Sequence, residues 1–273
     1  MHNPAVRKTR RYLLVTLLIA VLGFAPWLLL RPDPEPTYQG KPLTDWCYQY
    51  AGNSFLDSNT ELQKQAETAI RTIGTNAIPT LLRMLQARDS KFKLMLMQLS
   101  QKQHVVNINW KTAQIQHDIA RVGFSVLGSD GKSAVPALLE IYCNCRPSPY
   151  DDRGNIAEII ALIGPAVEDA VPRFVQDTTD TNLYIRWSAI SALGRIHARP
   201  DLAVPVLIRS LHDQDGIVRE EAACSLAAFG NNARSAAPEL IKTLTDPYPG
   251  ISNAVAYALK KIDPAAAAQA GVK

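Results

Sequence analysis

Five prolines divide the chain into phrases of nearly constant length. Pro79, Pro136, Pro172, Pro205 and Pro238 follow one another at intervals of 57, 36, 33 and 33 residues. The segments around them resemble one another: IRWSAISALGRIHARPDLAVPVLIRSLHDQD (185–215) lies over VREEAACSLAAFGNNARSAAPELIKTLTDP (218–247), and 62–90, 115–142 and 155–177 are more divergent copies. A period near 33 is too short for a domain with its own core. It is the length of one supersecondary unit, which buries its apolar face only by stacking on the next copy.

Each unit reads as two helices. The first carries small and aliphatic residues at helical spacing, as in Ala189, Ala192 and Leu193 or Ala222, Ala223, Leu226 and Ala227, so that neighbouring helices approach closely. A glycine (Gly74, Gly128, Gly164, Gly194 or Gly230) is expected to end it in a left-handed conformation. Proline then opens the second helix, where its missing N–H costs nothing, and residues two, three and six positions on, such as Leu207, Ile208 and Leu211, point inward. The pair is an αα-hairpin.

The phrases Ile217-Val218-Arg219, Ser225-Leu226, Gly230 and Ala237-Pro238, repeated along some 200 residues from Glu61 to near Pro264, resemble the HEAT repeats, and among them the short bacterial HEAT-like or phycobilisome-lyase type. Tyr38 to Trp46 is similar to the lead-in of membrane-anchored bacterial members. The resemblance implies an all-α, HEAT-like αα-hairpin superhelix of about five repeats over 61–273, with a capping helix over 43–60. Two stretches depart from the pattern: an insertion near 90–112, whose Phe92, Leu94, Met95, Leu96, Met97 and Leu99 are expected to extend the core of a longer helix, and a turn-rich break at 143–155. The array is expected to end after one further first helix, before Asp263-Pro264 and an alanine-rich tail.

Upstream of the repeats the chemistry changes. Tyr12 to Leu30 holds no charge, and nineteen residues at 1.5 Å each make a helix of roughly 28 Å, close to the hydrocarbon thickness of a bilayer. Arg7, Lys8, Arg10 and Arg11 precede it within a basic tail over 1–11, while only Arg31 follows closely, so the positive-inside rule predicts a transmembrane signal anchor over 12–30 with its N-terminus in the cytoplasm. The solenoid would then lie outside the cytoplasm, at a bacterial inner membrane. Gly23-Phe24-Ala25 also fits a signal-peptidase site, although Pro26 would sit just after the cut; Thr9 to Leu14 resembles a twin-arginine export signal. Alternating prolines at Pro32, Pro34 and Pro36 predict an extended linker over 31–42.

Beyond Arg31 the chain carries 24 Lys and Arg against 25 Asp and Glu, which argues against a nucleic-acid binder, since such a protein needs a basic face to displace counterions. No HExxH, G-x-S-x-G or dinucleotide fingerprint occurs, and Gly131-Lys132-Ser133 lacks the earlier glycine of a phosphate loop. Cys143 and Cys145 lack a second Cys pair at metal-ligand spacing and are the candidates for a disulfide, whereas Cys47 and Cys224 are expected in the core. Asp213 or Asp215 before Arg219, and Asp177 or Asp180 before Arg186, could be acid and base. The HEAT resemblance implies instead a structural ladder in which Arg bonds loop carbonyls and the neighbouring repeat's Asp.

In that family the second helices line the concave face. Here the positions one and four after each proline supply Thr80, Arg83, Glu140, Arg173, Gln176, Arg209, Glu239 and Lys242, a set of mixed sign without aromatic platforms. It suits a protein or peptide partner better than nucleic acid. The expected function is therefore a non-catalytic, membrane-anchored protein-interaction scaffold with no cofactor. The alternatives are an enzyme of the bilin-lyase or HEAT-like DNA glycosylase kind, or a cleaved, secreted adaptor.

Overall fold

The computed structural model describes residues 34–53, 61–102, 111–145, 152–248 and 250–272. The basic tail, the expected span over 12–30 and the start of the linker lie outside the described residues. Among the described residues no helix is long and apolar enough to cross a membrane. The chain divides at Glu35, and residues 36–273 form one unit.

That unit opens with a two-stranded hairpin, β1 (Thr37–Tyr38) and β2 (Lys41–Pro42), where the sequence predicts extended linker. Gln39 and Gly40 both have positive φ, 51° and 75°, the conformation a two-residue hairpin turn demands. The hairpin is fixed to α1 (Leu43–Asn53): Trp46 Nε1 donates to the Tyr38 carbonyl at 3.2 Å, and the Lys41 ammonium lies 4.2 Å from the indole centroid.

Helix pairs follow. The first is α2 (Glu61–Ile73) with α3 (Ile78–Leu85); after it comes a separate helix, α4 (Lys91–Lys102). Then come α5 (Ala113–Leu127) with α6 (Val135–Asn144), α7 (Asp152–Ile163) with α8 (Val171–Asp177), and α9 (Leu183–Ile196) with α10 (Pro200–Ser210). The series ends with α11 (Gly216–Phe229) and α12 (Ala237–Thr243), then α13 (Ile251–Ile262) and α14 (Pro264–Gln269). The described residues thus hold six pairs. The tail expected after Pro264 forms a short second helix, because Asp263 caps it by accepting from Ala266 N at 3.1 Å and Pro264 supplies its first turn.

The proline register is the register of the core. Two residues after each proline stand Leu81, Leu138, Phe174, Leu207 and Leu240, every one 0% exposed. Buried alanines on the first helices, Ala189 and Ala192 on α9 and Ala222 and Ala223 on α11, let successive first helices stack as the composition predicts.

Three local expectations are corrected. Gly194 does not end its helix: α9 continues to Ile196 and His197 takes the left-handed position at φ 35°. Gly194 instead lies where α11 crosses, so near that a Cβ there would stand 2.8 Å from Ser225 Cα. Pro205 lies inside α10 rather than at its start, because Pro200 opens that helix one turn earlier. The insertion does not lengthen a core helix; α4 stands as its own element, with Phe92, Leu94 and Met95 65%, 44% and 49% exposed.

Candidate functional site

The polar groups buried between repeats form a regular ladder. Arg186 on α9 donates through Nε and Nη2 to Asp213 Oδ2 and Oδ1 at 2.8 and 2.9 Å, through Nη2 also to Asp215 at 2.6 Å, and through Nη1 to the Asp180 and Thr181 carbonyls at 3.0 and 3.2 Å. Arg219 on α11 repeats this with Asp246 at 2.8 and 3.0 Å and with the Asp213 and Gln214 carbonyls at 2.8 and 3.2 Å. Arg153 on α7 makes a looser version, 3.6 Å from Asp180. Hydrogen bonding to Asp213 and Asp246 raises the pKa of Arg186 and Arg219, and Arg219 in turn holds Asp246 below the usual carboxylate range. Groups locked into their charged forms hold loops together and exchange no protons near neutrality.

Asp177 is not a member of this ladder. Buried at the end of α8, it accepts from the Tyr142 hydroxyl at 2.6 Å and from Arg173 Nε and Nη2 at 3.0 and 3.1 Å. The Tyr142 ring packs edge-on against Phe174 and lies within 5.2 Å of the Arg153 guanidinium and 5.5 Å of that of Arg173. Burial, then the hydrogen bond to Asp177, push the Tyr142 hydroxyl far above its ordinary pKa. Arg173 is therefore half-buried and engaged within the chain rather than presented to a partner.

The other residues of the second-helix set divide by exposure. Arg83, Glu140, Gln176, Arg209 and Lys242 are exposed, whereas Thr80 is 4% exposed and leaves the accessible set, because α3 turns that position toward the core. Glu239 is half-buried between Lys242 Nζ at 3.0 Å and His212 Nε2 at 2.7 Å, and its pKa is lowered, chiefly by the bond from Lys242. Arg209 and His212 border a shallow depression with Thr178 and Thr179.

A cleft of about 410 Å³ opens where α5, α6 and α7 meet the connector after α3. Its lining combines the aliphatic Leu85, Ile156 and Ile159 with Arg88, Arg121, Asp118 and Glu140. Of the expected face only Glu140 belongs to it. The sequence reading missed this cleft, although its trace was present: it lies at the one proline interval of 36 residues, beside the break at 143–155.

A family model described as HEAT repeats matches residues 135–227 and again 204–270. The chain is a HEAT-like repeat protein. Two engineered proteins, solved as targets of the Northeast Structural Genomics Consortium, are similar to it: one at 19% identity over 81% of this chain and 96% of that chain, TM-score 0.46, the other at 19% over 85% and 62%, TM-score 0.43. No curated protein matches it.

In this HEAT-like array the chemistry-bearing motifs occupy turns and helix ends. Gly131-Lys132-Ser133 lies in the short 3-10 segment joining α5 to α6, with Gly131 buried. Among the described residues no group of three or more His, Cys, Asp or Glu is placed to hold a metal ion. None of the four cysteines forms a disulfide; Cys47 is buried as expected, but Cys224 on α11 is exposed, a correction to its expected core position.

Proposed function

We propose that this chain is a non-catalytic protein-interaction scaffold, tethered to a membrane by residues 12–30 and presenting its repeats outside the cytoplasm. The observation that carries the scaffold reading is the ladder itself. The buried charged groups that could have formed an acid–base site are spent on joining repeats, which leaves exposed, mixed-sign second-helix residues as the surface available to a partner. The tether rests on the uncharged run from Tyr12 to Leu30 and on the basic residues before it.

Native Cys143 supplies the test. It is exposed at the end of α6, and Cys145 and Cys224 are replaced by serine so that it reports alone. Cys224 is the poorer reporter, since desolvation by its neighbours and the carboxylates of Glu221 and Glu220 raise its thiol pKa. Labelling of intact spheroplasts by a membrane-impermeant maleimide, with the product retained in the membrane pellet, is the expected result. Labelling only after lysis would place the repeats in the cytoplasm and reopen the enzyme readings; labelled protein in the soluble fraction would mean a cleaved adaptor.

A further inference from the structure

Among the described residues the ladder begins at Arg153, and the cleft stands one repeat before its first rung. The rungs Arg153–Asp180, Arg186–Asp213 and Arg219–Asp246 recur every 33 residues. The preceding proline interval is 36, and 36 residues before Arg153 and Asp180 stand His117 and Asn144. Both line the cleft. Neither is the Arg or the Asp of a rung. The His117 imidazole places Nε2 3.2 Å from the Ala87 carbonyl; because a carbonyl only accepts, Nε2 carries the hydrogen and Nδ1 is an acceptor in the neutral ring.

What replaces the rung is a different chemistry. The aliphatic Leu85, Ile156 and Ile159 are buried, while Gln86, Gln114 and Asn144 are exposed, giving the cleft an apolar floor and a mouth of carboxamides. A carboxamide both donates and accepts, as a peptide unit does. The arginines Arg88 and Arg121 are balanced by Asp118 and Glu140, so the lining favours neither a polyanion nor a cation. A volume of about 410 Å³ lies within the range of ligand sites.

We propose that this cleft takes an extended peptide segment of a partner protein, with an aliphatic side chain on the Leu85–Ile156–Ile159 floor and its backbone amides paired with the carboxamides at the mouth. The inference rests on the scaffold reading and names the chemistry of the partner that the scaffold holds.

The test is selection of phage-displayed random octapeptides against the detergent-solubilised full chain, followed by affinity measurement on two variants. His117→Arg with Asn144→Asp rebuilds the rung and closes the cleft; Gln114→Ala removes one carboxamide from an exposed position and leaves the fold intact should the double variant not fold. Selected peptides are expected to share one Leu, Ile or Val, to bind the double variant at least about tenfold more weakly and Gln114→Ala about fivefold more weakly. Peptides that bind all three chains equally would overturn the cleft as the site while leaving the scaffold reading standing elsewhere on the surface. Charged peptides without an aliphatic anchor, or no enrichment at all, would overturn the proposal as well.

Discussion

Arg186 and Asp213, 27 residues apart in sequence, meet through two parallel hydrogen bonds of 2.8 and 2.9 Å between the first helix of one repeat and the loop that opens the next. The Arg186 side chain is 6% exposed and that of Asp213 12% exposed, so removing one partner strands a largely buried charge.

Arg186→Ala is therefore expected to destabilise the array by about 3–5 kcal/mol, the range for breaking one side of a buried ion pair. Asp215→Asn, at a side chain that is 38% exposed and accepts only one bond from Arg186, should cost about 1 kcal/mol or less. Urea denaturation followed by circular dichroism gives both values, and equal losses from the two substitutions would contradict the two-point geometry.

The rung below it titrates. Arg219 depresses the folded-state pKa of Asp246, so the unfolded chain binds the proton more readily. The resulting stability is fully present above the unfolded pKa of about 3.9 and is lost as pH falls through the folded value. Asp246→Asn should weaken the protein at neutral pH, and the difference from the native chain should shrink steadily on acidification below about pH 4. Urea midpoints across that range would show it, and a difference that grew with acid would mean that folding does not lower the Asp246 pKa.

Tyr142 offers a second buried polar contact with a different prediction. Tyr142→Phe keeps the edge-on packing against Phe174 but takes a donor away from the Asp177 carboxylate, at a cost of about 1.5–3 kcal/mol for a bond to a charged group. Asp177→Leu should cost more, since it also leaves Arg173 without its two bonds. Thermal melts of the two variants test the order.

Gly194→Ala probes how closely α9 and α11 approach. The added Cβ would collide with Ser225 Oγ and stand 2.8 Å from its Cα, so the two backbones must move apart, at about 1–3 kcal/mol. Truncating the Ser225 side chain leaves its backbone in place, so Ser225→Ala should not rescue the variant; rescue would show that the hydroxyl alone set the distance. Gly131→Ala, where the nearest atom is an Ile163 side-chain carbon at 3.4 Å, serves as the tolerated control.

The repeat and the helix pairing were legible from residues 155 to 247 because each depends on local rules: proline at a helix start and a residue free to adopt positive φ after a helix; the ladder was implied by the HEAT resemblance. Gly194 and His197 show where such rules stop. Both lie near the end of α9, and glycine is the residue that local conformation prefers for the cap, yet the close crossing of α11 claims Gly194 and moves the cap three residues on to His197. Cys224 and α4 are similar cases: apolar spacing was visible, but which side of the helix a neighbour covers was not.

By itself, then, the sequence determined the unit, its period and the residues two after each proline that turn inward, since those are set by backbone conformation and by apolar spacing within some thirty residues. The uncharged run at 12–30 and its basic flank likewise belong to the sequence. Only the tertiary structure decided what happens between units. It assigned Asp177 to Tyr142 rather than to the ladder, set Arg173 among buried partners, and opened a cleft where His117 and Asn144 take the place of a charged rung. Those outcomes depend on how far one helix pair is offset from the next, and that offset comes from packing across the whole stack, which no single repeat encodes.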